Sequence, residues 1–503
     1  MATNVFYDNV MSTAKLAEFS AEQSVETEIL LADYDAPVFK VIKTTMEHSV
    51  TQKYVTKNKL VLEGFIKLCI YYQPPEGEKL NVITQRIPFQ KQHEIQTEHN
   101  DLSYIKVEGN CQYVNTRPQN PTRIDVRGAY LFTVRLYGTN AYKTLTATSG
   151  KTVCCHSENL ELFSLSGHNI RQFTIEDELD IEELSGKILR VNPVTQPAAV
   201  SSYSDKITAK GEIAADFYYT VSDSYEIKKY THTFLYNQVI DVNGVRENHI
   251  AYADITVTNV AVSFNSENKK YIAAVTVQID VTAFAKQQVI AVTDAFSRSF
   301  ECEKQENTVL TDTNIYQVEK TLSVKLSSKQ DRDTEIKHVV FELSPVKSYY
   351  EINKMTVKAK LMAHIITLNS QYEYECITVS EDIVLQWLEY CSQHDEISVA
   401  LSVTGYTLNQ TAEQADINVT LSAQGFVIEK QPVKLLENFE EKTDSPVEKK
   451  DEALIIYYAQ KGEKVFDIAK MHCASPEDIT AENDLQSDVI TQPQMIFIPV
   501  FEG

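Results

Sequence analysis

Residues 59–72 read KLVLEGFIKLCIYY, and every second position from Leu60 onward is apolar or small: Leu60, Leu62, Gly64, Ile66, Leu68 and Ile70. Successive side chains of a strand point to opposite faces, so a period of two held this long predicts a β-strand with one face in a core. The pattern returns at residues 206–219, KITAKGEIAADFYY, and at residues 354–367, KMTVKAKLMAHIIT. Lys59, Lys206 and Lys354 open the three copies, at offsets of 147 and 148 residues. The inward positions are Ile207, Ala209, Gly211, Ile213, Ala215 and Phe217 in the second copy. In the third they are Met355, Val357, Ala359, Leu361, Ala363 and Ile365. The third inward position stays small (Gly64, Gly211, Ala359), which predicts a bulge or a close backbone approach there.

Further strands recur downstream. Ile124, Val126, Gly128, Tyr130, Phe132 and Val134 alternate in the first copy. Tyr271, Ala273, Val275, Val277, Ile279 and Val281 do so 147 residues later, and Ile417, Val419, Leu421 and Ala423 follow in the third. These runs are rich in threonine, valine, isoleucine and tyrosine, as strand propensity requires. The repeat is too long for a solenoid, so the reading is mainly β, with three similar antiparallel sandwich domains in tandem. The expected boundaries are 35–165, 166–305 and 306–430. Residues 1–34 are expected to be a separate segment. Glu18, Glu22, Glu26 and Glu28 with Leu16, Phe19 and Val25 allow an amphipathic helix in it. Residues 431–453, QPVKLLENFEEKTDSPVEKKDEA, are charged and contain Pro432 and Pro446, which suits a solvated acidic linker. Within it, Leu435, Leu436 and Phe439 allow a short helical turn.

At 503 residues the chain is too long for a single core. Its 47 basic and 70 acidic residues leave a formal charge of −23. Nucleic acid is therefore not an expected partner, because phosphate binding needs cationic side chains. A basic patch for an anionic membrane is not expected either. The opening MATNVFYDNVMSTAKLAEFSAEQS has no basic stretch followed by an apolar one, so no export signal is read there. No run approaches the ~18 apolar residues of a transmembrane helix. The eight cysteines show neither a CxxC pair nor a regular ladder, which predicts free thiols in a reducing compartment. Cys154, Cys155 and His156 are adjacent, with His168 nearby, but metal ligands are usually spaced, and small packed side chains are the expected role.

No catalytic motif stands out. The eleven histidines form no HExxH pair, and there is no GxSxG, GxxxxGK[ST] or GxGxxG sequence. Acidic neighbours such as Glu176-Asp177-Glu178 read as solvated faces. No enzyme activity, catalytic residue, cofactor or metal is expected.

The last stretch, 454–503, is different in kind. Leu454 to Tyr458 is a β-branched and aromatic run, and Gln460-Lys461-Gly462-Glu463 is a turn. Val465, Phe466, Ile468 and Ala469 follow at helical spacing. Ser475-Pro476-Glu477-Asp478 has the residues of a helix start: a serine N-cap, proline at the first position and an acid at the capping-box position. Met495-Ile-Phe-Ile-Pro499 closes with a strand. This strand–helix–helix–strand order resembles the LysM domain. The resemblance implies a ligand groove between two loops, formed here by Gly462, Glu463, Lys464, Val465, Phe466, Asp484, Leu485, Gln486 and Ile490. Lys464 stands where the family usually has threonine or serine. Thr491-Gln492-Pro493-Gln494 replaces its glycine turn, and Pro493 removes a backbone donor.

The tandem units resemble the SPOCS domain of spore-coat morphogenesis proteins, on LEGFIKLCIYY, ITAKGEIAADFYY and the VTDAFSRSFE of residues 292–301. Three such units before one LysM domain resemble members of that family over nearly the whole chain. The resemblance implies a non-enzymatic scaffold or adaptor in endospore coat assembly, acting in the mother-cell cytoplasm at the forespore surface. It implies that the LysM domain grips the coat ATPase SpoIVA and that the SPOCS-like domains meet other coat proteins. The competing reading is a LysM protein that binds peptidoglycan, an N-acetylglucosamine polymer.

Overall fold

The alternation of residues 59–72 forms a strand in the computed structural model, which describes residues 4–75, 79–95, 103–181, 187–221, 225–265, 270–330, 333–351, 354–389, 392–411, 413–447 and 454–499. The first group of elements comprises β1 (Val5–Leu30), β2 (Lys40–Thr56), β3 (Lys59–Gln73), β4 (Asn81–Glu94), β5 (Ser103–Asn120) and β6 (Arg123–Thr148). The second comprises β7 (Val153–Leu179), β8 (Ile188–Thr195), β9 (Ala199–Tyr203), β10 (Lys206–Thr220), β11 (Ile227–Asp241), β12 (Ile250–Asn265) and β13 (Lys270–Ser297). The third comprises β14 (Phe300–Lys329), β15 (Thr334–Leu343), β16 (Lys347–Glu351), β17 (Lys354–Asn369), β18 (Tyr374–Glu389), β19 (Glu396–Gln410) and β20 (Gln414–Pro446). The chain closes with β21 (Leu454–Ala459), α1 (Val465–His472), α2 (Pro476–Glu482) and β22 (Gln494–Pro499). The structure is mainly β, in several antiparallel sheets. Among the described residues no helix is long and apolar enough to cross a membrane.

Each group buries one apolar cluster between a sheet centred on its repeat strand and a sheet carrying its long strands. In the first group, β2-β3-β4 faces β1-β6-β5. In the second, β10 and its neighbours face β7, β12 and β13. In the third, β17 and its neighbours face β14, β19 and β20. The large inward residues of the repeat strands, such as Leu60, Ile66, Ile207, Phe217, Met355 and Leu361, are all buried. Gly64 is small for the predicted reason: β2 bulges between Val50 and Gln52, and a Cβ at Gly64 would lie 2.1 Å from the Ser49 carbonyl oxygen.

The six longest strands run past their own cores. The ends of β1, β6, β7, β13, β14 and β20 converge into a shared stalk, where each supplies side chains to two further clusters. Val10, Leu162, Val289, Val309 and Leu435 meet in one of them, and Leu145, Val292, Leu436 and Phe439 in the other. A single sheet, β12-β13-β7-β14-β20-β19, joins the second group to the third.

Three expectations change here. Residues 5–30 are strand, not helix, and pair with β6 along their whole length. Val25 and Ile29 point inward, while Glu18, Glu22, Glu26 and Glu28 are exposed. The carboxylates thus follow a period of two, and the backbone of β6 supplies hydrogen bonds that an isolated helix would have had to nucleate alone. Residues 431–446 are not solvated linker but the end of β20, and Leu435, Leu436 and Phe439 are fully or nearly fully buried. Its few buried apolar residues stand among charged ones, so its average composition hid them. The rest of the expected linker, 448–453, lies outside the described residues, as does 500–503. Finally, β7 and β14 run unbroken through positions 165/166 and 305/306, where boundaries were expected. The chain passes between groups at the turns of residues 149–152 and 298–299.

The groups also touch away from the stalk. Tyr71 and Cys69 of the first, Leu189 of the second, and Val340, Ile366 and Tyr374 of the third share one buried cluster. Arg190 reaches Glu47 across this contact at 2.6 Å. His338 is buried beside Tyr71 and Tyr218. Burial, with the nearby Arg190 charge, pushes its pKa down to about 3. Above pH 6.5 the ring is neutral folded or unfolded. Below that the unfolded chain takes up a proton that the folded one refuses, and stability is lost down to about pH 3, by at most about 1.4 kcal/mol per pH unit. The fall in melting temperature between pH 7 and pH 5 is therefore expected to be smaller in His338→Phe than in the native chain. Equal slopes would remove His338 from the acid response.

Candidate partner-binding site in the terminal module

Ile455, Tyr457 and Ala459 of β21 face the two helices, and Leu454, Ile456 and Tyr458 face outward. The turn after β21 needs a left-handed residue, and Gly462 supplies it at φ +95°. Two loops are then tied together by backbone. The Gly462 N–H donates to the Ile490 carbonyl at 2.8 Å, the Ile490 N–H returns to the Glu463 carbonyl at 2.8 Å, and the Val465 N–H reaches the Asp488 carbonyl at 2.8 Å. The Glu463 carboxylate accepts from the Gln460 N–H at 2.7 Å and from the Tyr457 hydroxyl at 3.0 Å. Helix α2 starts as its sequence predicts, with Ser475 Oγ accepting from the Asp478 N–H and Pro476 at the first position. Asn483 then exchanges two hydrogen bonds with the Phe497 backbone at 2.7 Å, fixing the helix end to β22.

This frame brings the two predicted loops together, but it does not leave all nine residues facing a groove. Val465 and Ile490 are buried in the module's core. Glu463 and Leu485 are half-buried, and Glu463 is engaged within its own turn. Gly462, Lys464, Asp484 and Gln486 are exposed. Phe466 is turned toward the stalk, with its ring 5.3 Å from that of Phe296 and 5.2 Å from that of His156. The module is thus seated on the tip of the stalk, where β7 begins and β13 ends. Cys154 packs against its core, and Cys155 and His156 continue the same strand. All seven cysteines among the described residues are free thiols.

Charge reinforces this seat. Asp294 accepts from Lys470 of the module at 2.5 Å and from Lys304 of the stalk at 2.6 Å. Burial alone would raise the Asp294 pKa, but its bonds to the two lysines outweigh that and hold it below the usual carboxylate range. Arg298 lies 3.9 Å from Asp478. A cleft of about 520 Å³ remains between module and stalk, with Lys464 on one wall and His156, Glu158 and Lys434 on the other.

The Phe296→Ala variant should loosen the seat without entering the module. A loss of about 1.4 kcal/mol would raise the undocked population tenfold. Trypsin cleavage between residues 447 and 454, where Lys449 and Lys450 offer sites, is therefore expected to accelerate. An unchanged digestion rate would mean that Phe296 does not hold the module.

Sequence reasoning missed the module's outer face. Ile456, Tyr458 and Met495 are 62%, 63% and 55% exposed, beside Leu454 at 44%. The β21–β22 register places Tyr458 opposite Met495 and Leu454 opposite Pro499 on one side of the small sheet. The signal was present in Leu454 to Tyr458, where both faces of the strand are apolar although only one can face the helices. Elsewhere, no cluster of three or more His, Cys, Asp or Glu side chains able to hold a metal occurs among the described residues.

Residues 37–118, from just before β2 to near the end of β5, match the family model described as SipL, SPOCS domain. The match contains β3, the repeat strand of the first group. The chain therefore carries a SipL-like SPOCS domain, which relates it to sporulation and the spore coat. No curated protein and no solved structure matches the chain.

Proposed function

We propose that this chain, with its SipL-like SPOCS domain at residues 37–118, is a non-enzymatic scaffold of endospore coat assembly. In this reading the three strand groups are three SPOCS-like sandwich domains in tandem, and the terminal module is a LysM domain that binds a coat-morphogenesis protein, the ATPase SpoIVA. The SPOCS match carries the proposal. The repeated strand pattern extends it to the second and third groups, and the strand–helix–helix–strand order supports the LysM assignment. The chain would act in the mother cell at the forespore surface, with the strand groups meeting other coat proteins.

The seat of the module bears on how it works. A long tether would let a module search for its partner. Here Phe466 and Lys470 are occupied by the stalk, so partner contact falls to Lys464, Asp484, Gln486 and the apolar outer face. The presented surface is then fixed in orientation relative to the body. Pro493 and the buried Val465 and Ile490 count against a sugar groove built on those loops, so peptidoglycan is the second reading.

The test is removal of residues 454–503 in a sporulating host. The truncated chain is expected to lose recruitment to the forespore while remaining folded, and unchanged recruitment would sink the adaptor role. A pull-down of the full chain with purified cell wall separates the second reading, since strong retention there, lost on changing Lys464 or Asp484, would favour glycan binding.

A further inference from the structure

We propose that the open cavity between the three strand groups binds a small organic cation, an amine or quaternary ammonium. The cavity measures about 580 Å³, within the range of small-molecule sites. All three groups wall it: β2 and β5 from the first, β12 and β13 from the second, β14, β19 and β20 from the third.

Its charges do not balance. The walls carry Glu108, Asp254, Asp280 and Glu319 against Lys53 and Lys106. Both lysines are engaged. Lys53 contacts Asp280 and donates to the Ile105 carbonyl at 2.6 Å. Lys106 lies 3.5 Å from Glu108 and donates to Ser398 Oγ at 3.1 Å. Asp280 also meets His168 at 2.6 Å. Asp254 is left over. Its surface is open to the cavity, and among the described residues it makes no hydrogen bond or ion pair. It stands directly opposite Asp280 in the β12–β13 register, a like-charge cross-strand pair that is unfavourable by itself. Burial, then Asp280, push its pKa up, and the more distant charges of Lys106 and Lys53 offset this only in part. A cation beside Asp254 would relieve both penalties.

The rest of the wall indicates which kind of cation. No three acidic or imidazole groups converge there to hold a metal among the described residues. Aromatic rings are present instead: Tyr104, Tyr252 and Phe426 line the cavity, and Tyr252 stacks on Phe426 at 5.1 Å. Ring faces attract ammonium groups. A carboxylate without an ion-pair partner and ring faces at one cavity are the complement of an organic ammonium.

The experiment is calorimetric titration of the full chain with putrescine, spermidine and choline, with citrate and sorbitol as anionic and neutral controls. One or more of the cations is expected to bind at one site per chain, and the controls are not. Asp254→Asn is expected to weaken binding at least tenfold while keeping the native circular dichroism and melting temperature, because it removes a like-charge repulsion. Tyr252→Leu gives a second, independent loss. The proposal is overturned if none of the three cations binds the native chain, if Asp254→Asn binds as tightly as the native chain, or if citrate or sorbitol binds and is lost on the same substitution.

Discussion

Replacing Lys430 with alanine is expected to destabilise the fold by about 3–5 kcal/mol, the usual cost of stranding one member of a buried ion pair. Lys430 is 6% exposed and Asp312 is wholly buried, with the ammonium 3.3 Å from the carboxylate. The pair also fastens β1 to β14 and β20. Asp312 accepts from the Thr13 N–H at 2.8 Å and from Ser12 Oγ at 3.1 Å, and Lys430 donates to the Thr13 carbonyl. Without the ammonium, a carboxylate remains inside the stalk with only neutral donors around it. Asp312→Leu combined with Lys430→Met should cost less than Lys430→Ala alone, because neither charge is then stranded. Denaturant midpoints with a double-mutant cycle measure this. A loss below about 1 kcal/mol for Lys430→Ala would place the pair in water and refute the buried stalk.

The second large effect lies a few residues on. Leu435→Ala and Phe439→Ala are expected to cost about 2–5 and 3–5 kcal/mol, from lost burial and the cavities left behind. Both side chains are enclosed by residues of other long strands, including Val10, Leu162 and Val309 around Leu435 and Leu145 and Val292 around Phe439. Lys442→Ala on the same strand is the control, and as a surface change it should stay within about 0.5 kcal/mol of the native chain. A solvated linker at 431–446 would make all three substitutions neutral in thermal melts.

Much of the fold was legible. Leu60 to Ile70, Ile207 to Phe217 and Met355 to Ile365 are buried on the face that their spacing predicts. The start of α2 at Ser475-Pro476 follows its capping residues. These are local properties: the period of a strand and the orphan N–H groups of a helix do not depend on distant partners. The misreadings share one cause. In β1 the glutamates fit a helical and a strand period alike, and the choice was made by β6, far away in the chain. In β20 the buried Leu435, Leu436 and Phe439 stand among charged residues, and what covers them comes from other long strands. For the terminal site, backbone hydrogen bonds join the two loops, but the seat of Phe466 on Phe296 and the exposure of Ile456 and Tyr458 depend on what the module packs against.

By itself the sequence determined the strand class, the threefold repeat, the inward face of each repeat strand and the acidic balance of the chain. Tertiary structure alone decided that the long strands merge into one stalk, that Lys430 meets Asp312, that the terminal module is docked, and that Asp254 faces a shared cavity. The physical reason is the reach of each signal. Periodicity states which side of a segment avoids water, and it is written in neighbouring residues. What covers that side, and which charges meet there, is set by the packing of segments far apart in the chain.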